Sequence, residues 1–150
     1  MIKEVKSGEK ILALVITKEL QTDSISFVTP PEYPIQIGLL QHKGGKLVPM
    51  HFHNDFKYEV STTHEILYVE KGQMTVVITD NKWNEVFTGT FTAGDMVLLM
   101  DGGHSVEFTD DSRVWEFKQG PYPGDKVAKV FKDNWEGNIP ENKLCNLIKS

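Results

Sequence analysis

GKLVPMHFHNDFKYEVSTTHEILYVEKG, residues 45–72, is the stretch from which the fold is read, because it holds two strand-like runs that carry potential metal donors. His51 and His53 are two apart. On a strand, residues i and i+2 share a face, so both imidazoles would enter one space with Phe52 turned away. Glu65 opens a second run, EILYVEKGQMTVVI, whose β-branched and aromatic residues pause at a turn at Lys71-Gly72 and resume as a hairpin partner. The next His in strand-like sequence outside this stretch is His104, in DGGHSVEF. Imidazoles with one carboxylate make a borderline N/O donor set, suited to Fe(II), Mn(II), Ni(II), Co(II) or Zn(II) better than to Ca(II) or Mg(II).

Two spacings carry a family resemblance. Gly45-x5-His51-x-His53 followed by Glu65-x6-Gly72 resembles the first motif of the cupins, and Gly94-x5-Met100-x-Gly102-x-His104 resembles the second. The chain departs from the family by placing eleven residues, 54–64, between His53 and Glu65, and by carrying Met100 where Pro is usual. The resemblance covers roughly residues 35–118. It implies an all-β fold, a double-stranded β-helix or jelly-roll barrel closed around a metal held by His51, His53, Glu65 and His104, with a short C-terminal tail. It also implies a homodimer paired through an edge strand. Similar small bacterial cupins are of unsettled function.

Length and composition bound the rest. A chain of 150 residues fits one domain, 1–150, with a sizeable core. Acidic residues outnumber basic ones by 21 to 16 and no basic run stands out, so the expected partner is a small molecule and not a nucleic acid. The lone Cys145 excludes an internal disulfide framework and agrees with a cytoplasmic setting. The most apolar early run, Ile11 to Ile16, is too short to cross a membrane.

Taken in order, ILALVI is a strand or a short helix turn, and its β-branched content favours the strand. Thr29-Pro30-Pro31 and Pro34 predict an extended connection, and Ile35, Ile37 and Leu39 alternate as a strand up to Gly44-Gly45. His42, at the end of that strand, has no partner spacing and reads as a surface residue. Residues 54–64 are either a substrate-side extension, with Tyr58 and Glu59 as pocket candidates, or a plain connection. His64 falls on the face opposite Glu65, and a slip of one register would exchange the two.

Residues 73–78 predict a strand, 83–91 a strand pair broken at Gly89, and MVLLM a short buried strand before Gly102-Gly103 turns the chain toward His104. In 114–118, Val114, Glu116 and Lys118 share one face and Trp115 and Phe117 the other. That polar face either looks into the cavity, making Glu116 and Lys118 pocket candidates, or faces solvent. KVAKVFKDNW is a last strand candidate and the tail carries a short helix near 141–148. No nucleophile elbow or phosphate loop is present.

The expected function is a divalent-metal cupin with a pocket for a sugar or other small oxygen-bearing metabolite, acting as an isomerase, epimerase or oxygenase. The alternative is a non-catalytic module that binds or senses a ligand or metal in the same barrel.

Overall fold

A computed structural model describes residues 1–132. Within Met1–Gln119 the strands are β1 (Ile2–Ser7), β2 (Lys10–Ile16), β3 (Ile25–Phe27), β4 (Gly38–Leu40), β5 (Glu65–Lys71), β6 (Gln73–Thr79), β7 (Glu85–Thr92), β8 (Met96–Leu99), β9 (Gly103–Phe108) and β10 (Arg113–Lys118). They form a large sheet in the order β1-β2-β8-β5-β10, a small sheet β7-β6-β9 and the pair β3-β4, and all their pairings are antiparallel. No strand pairs in both main sheets, so the expected closed barrel is replaced by two sheets packed face to face with open edges among the described residues. The large sheet takes in β1 and β2, which lie before the 35–118 range.

Alternation builds the core. Ala13, Val15, Leu67, Val69, Val97 and Leu99 point from the large sheet onto Met74, Val76, Ile78 and Phe91 of the small one, and all are buried. Continuous apolar runs in β2 and β8 follow from burial on both faces. On the outer side Leu14, Leu98 and Met100 are covered by Tyr33 and Ile37 from the proline-containing segment. That segment is pinned by Ile37 N–H donating to the buried Thr29 hydroxyl at 2.9 Å and Val28 N–H to the Ile37 carbonyl at 2.8 Å. Of the strand predicted from Ile35 up to Gly44-Gly45, only Gly38–Leu40 is a strand. ILALVI is strand β2, as its β-branched content predicts.

The predicted break at Gly89 is absent, because β7 runs unbroken with Gly89 opposite Val76. The glycine serves packing there, since a Cβ would meet the Phe87 ring at 2.5 Å. Gly102 does make the expected turn, with φ at 74° and its backbone so close to β6 that a Cβ would sit 2.1 Å from the Thr79 carbonyl oxygen. This approach passes the chain from the large sheet to the small one.

The second compact unit, Gly120–Ser150, is described up to residue 132. It holds the helical turn α1 (Asp125–Ala128) where a strand is predicted. Gly124 starts it at φ 94°, and Lys129 Nζ lies 2.7 Å from Asp125 across one turn. Cys145 and the helix predicted near 141–148 lie outside the described residues.

The β7–β8 turn is organised by Asp95. Its carboxylate accepts the Lys18 and Thr92 N–H groups at 3.1 and 2.9 Å and the Thr92 hydroxyl at 3.1 Å. Burial pushes this carboxyl up, but the hydrogen bonds outweigh it and hold the group below its ordinary value. A depressed carboxyl contributes stability above its unfolded pKa, near ~3.9, which is lost as pH falls through the folded value. Asp95→Asn is expected to lower stability by about 2 kcal/mol at neutral pH and to flatten the acid limb below pH ~4, read from urea midpoints across pH. Gly102→Ala should cost about 3 kcal/mol or more, combining positive φ with a backbone clash, and a thermal melt within a few degrees of wild type would refute that account.

Candidate functional site

Four polar side chains gather at one end of the sandwich. Glu65 is the first residue of β5 and, with Leu67 and Val69, lies on the inner face, so the pleat has the parity that places His64 outside. Lys118 ends β10 directly across from Glu65, with its Nζ 3.6 Å from that carboxylate. Glu116, one pleat earlier on the same face, is a second ion-pair partner of Lys118. His104 comes from the other sheet, paired with Ile78, and its Nε2 lies 3.2 Å from the Glu65 carboxylate.

The cluster thus joins both sheets at the mouth of an apolar interior. Glu65 and Lys118 are mostly covered, at 14% and 20% side-chain exposure, while His104 and Glu116 reach solvent at 36% and 44%. A carboxylate withdrawn from water keeps its charge only beside cationic or N–H partners, and here Lys118 and His104 are both in reach. Chemically the mouth offers a fixed ammonium, an imidazole and two carboxylates, a set suited to the hydroxyl and carboxylate oxygens of a small molecule.

The other sequence candidates lie elsewhere. His51, His53, Tyr58 and Glu59 sit in residues 41–63, which are exposed throughout and form no strand. The predicted strand carrying His51 and His53 is therefore absent from this arrangement. A period-2 pattern needs a neighbouring strand to satisfy its backbone groups, and none of the described strands pairs with it. The i, i+2 neighbours still meet, for the rings of His51 and His53 lie edge to face at 5.1 Å and those of Phe56 and Tyr58 lie tilted at 6.3 Å. His51 Nδ1–H donates to the Pro49 carbonyl at 2.8 Å. Among the described residues no three His, Cys, Asp or Glu side chains converge as a metal-holding group. The structure brings together Glu65, His104, Glu116 and Lys118, and leaves the His51/His53 pair apart from them.

Sequence reasoning did not find the polar contacts behind the site. His64, 7% exposed, packs on the outer face against Tyr33, with ring centroids 6.3 Å apart. Its backbone N–H donates to Gln119 Oε1 at 2.8 Å, which ties the start of β5 to the end of β10. Its Nε2 lies 3.3 Å from the Thr62 hydroxyl, whereas His64 Nδ1 and Gln119 Nε2 are buried without a protein partner. The sequence signal was the parity opposite Glu65; burial by a segment thirty residues earlier is not written in it.

Compared with protein-family models, with curated proteins and with solved structures, the chain finds no match. No helix among the described residues is long and apolar enough to cross a membrane.

Burial lowers the pKa of His64, with the Asp101 charge opposing in part. Folding therefore favours the neutral ring. Stability from this group is present above the unfolded pKa near ~6.5 and is lost as pH falls below it, until the lowered folded value is reached. His64→Leu should flatten the loss of stability as pH falls through the imidazole range, seen as urea midpoints that drop less than those of wild type between neutral and mildly acidic pH. A variant that keeps the wild-type slope would place the titrating group elsewhere.

Proposed function

We propose that the chain is a cupin-like β-sandwich that takes a divalent transition metal (Fe, Mn, Ni, Co or Zn) and a small oxygen-bearing metabolite at the Glu65–His104 mouth. The observation that carries this reading is the 3.2 Å meeting of an imidazole from one sheet with a mostly covered carboxylate from the other. Their donor chemistry fits such an ion. Glu65 and His104 would hold it together with His51 and His53, whose rings already lie side by side. When bound, the metal supplies Lewis-acid polarisation of a coordinated oxygen.

The chain's own residues supply the rest. Lys118, held by Glu65 and Glu116, presents a fixed positive charge for an anionic or hydroxyl oxygen of the metabolite. The apolar interior behind it, lined by Leu67, Leu99 and Val76, excludes water from that contact. Isomerisation, epimerisation and oxygenation are all open to this set. A second reading, a non-catalytic binding module, is favoured by the commitment of Lys118 to two carboxylates, an arrangement better suited to holding an oxygen than to carrying a proton away.

Calorimetric titration of chelator-treated protein with Mn(II), Ni(II) or Zn(II) tests the metal. About one ion per chain is expected, with affinity reduced at least ~10-fold in His104→Ala and in His53→Ala. Wild-type affinity in both variants rejects the ligand set. Lys118→Met would then lower metabolite affinity while leaving metal uptake in place, which separates the two parts of the proposal.

A further inference from the structure

The stretch 48–60 has the pattern of a strand and the exposure of an unpaired one. Val48, Met50, Phe52, Phe56, Tyr58 and Val60 fall on one parity, interrupted once by Asn54, and Pro49, His51, His53, Asp55, Lys57 and Glu59 fall on the other. The apolar set is 42% to 102% exposed. An apolar stripe of this size on a surface marks an interface.

A matching surface exists on the same chain. β10 is an edge of the large sheet, and its outer face shows Trp115 and Phe117 at 47% and 52% exposure. The Trp115 indole N–H donates to Glu70 and the Arg113 guanidinium lies 5.4 Å from its ring, so the aromatic platform is fixed in advance. Adjacent strands of one sheet share their two faces. If the apolar side of 48–60 lies with Trp115 and Phe117, then His51 and His53 fall on the side of Glu116 and Lys118, at the mouth that holds Glu65 and His104.

We propose that residues 48–60 are an exchange arm, adding as a strand to the β10 edge of a second copy of this chain and delivering His51 and His53 to that copy's Glu65–His104 mouth. The second copy is favoured over the arm's own β10 by direction. The arm leads into β5 at Glu65, the end where β10 finishes, so on its own β10 it would run parallel, whereas every pairing within this unit is antiparallel. A two-fold axis permits the antiparallel pairing, and two reciprocal arms double the buried area. The docking stands on geometry alone; the delivery of His51 and His53 rests on the metal reading above.

Two experiments decide the docking and a third the delivery. Light scattering after gel filtration should give twice the chain mass for wild type and the chain mass for Phe52→Asp/Phe56→Asp with its circular dichroism retained; a wild-type monomer, or a dimer unmoved by the substitutions, overturns the proposal. In a Cys145→Ser background, Phe52→Cys and Trp115→Cys chains prepared separately and mixed with a short bis-maleimide should cross-link as a dimer. No cross-link in the mixture, with an intramolecular one in the doubly substituted chain, would place the arm on its own subunit and overturn the exchange. For the delivery, a His51→Ala/His53→Ala chain mixed and re-equilibrated with a Glu65→Gln/His104→Ala chain should recover about a quarter of wild-type Mn(II) sites, since half the dimers are mixed and each has one intact site. No recovery while wild type binds Mn(II) overturns delivery in trans. A wild type that takes no Mn(II) sinks the metal reading, and the mass and cross-link results still judge the arm.

Discussion

The pleat of β5 is the constraint on which the site depends. Leu67 and Val69 are buried between the sheets, and their burial fixes Glu65 on the inner side and His64 on the outer. A shift of one residue would put an imidazole inside and a carboxylate under Tyr33. Neither would find what it has now, a cross-strand ammonium and a facing imidazole for the carboxylate, or the Thr62 hydroxyl and an aromatic edge for His64. The register is held from both sides. Glu65 pairs with Leu99 on β8 and with Lys118 on β10, and the β7–β8 turn is bonded to Val69 through Gly94 N–H and the Asp95 carbonyl. Core packing, turn chemistry and the polar mouth therefore specify one alignment together.

How much of this was legible in the residues depends on what period-2 patterns encode. They report which side chains share a face, and so the opposition of Glu65 to His64 and of Glu116 and Lys118 to Trp115 and Phe117 could be read directly. They do not report which edge a strand joins. The pairing of β2 with β8, whose partners lie at least eighty residues apart, is a long-range pairing with no local signature. For the same reason the face-sharing of His51 and His53 was readable while their distance from Glu65 was not. Gly89 misled because a glycine inside a strand signals either a break or a close packing partner, and the Phe87 ring decides for the second.

The polar mouth and the apolar core make opposite demands on the same strands. β5 begins with a carboxylate and continues with Leu67 and Val69 on one face, so within a few residues the environment passes from partly wet to dry. Charge at the open end is tolerated because Lys118 lies opposite and compensates it. Farther in, the same face is closed by Val76 and Met74, which lie opposite Val106 and Phe108, and a charged group there would have no partner within reach. The candidate site accordingly lies at this end, where β5 and β9 begin and β8 and β10 finish.

Open edges add a further condition. A sandwich that does not close leaves unpaired backbone along its outermost strands, and such edges are usually blunted by charge. β10 carries its charges at Arg113, Glu116 and Lys118, but Glu116 and Lys118 are turned toward the mouth, which leaves two aromatic rings on the outer side. The edge is thus protected where it serves the site and unprotected where it does not. The stretch 48–60 has the complementary defect, a mostly apolar face, broken only by Asn54, with no strand beside it among the described residues. Each alone would be a liability for aggregation, and the proposed pairing of one with the other would cover both.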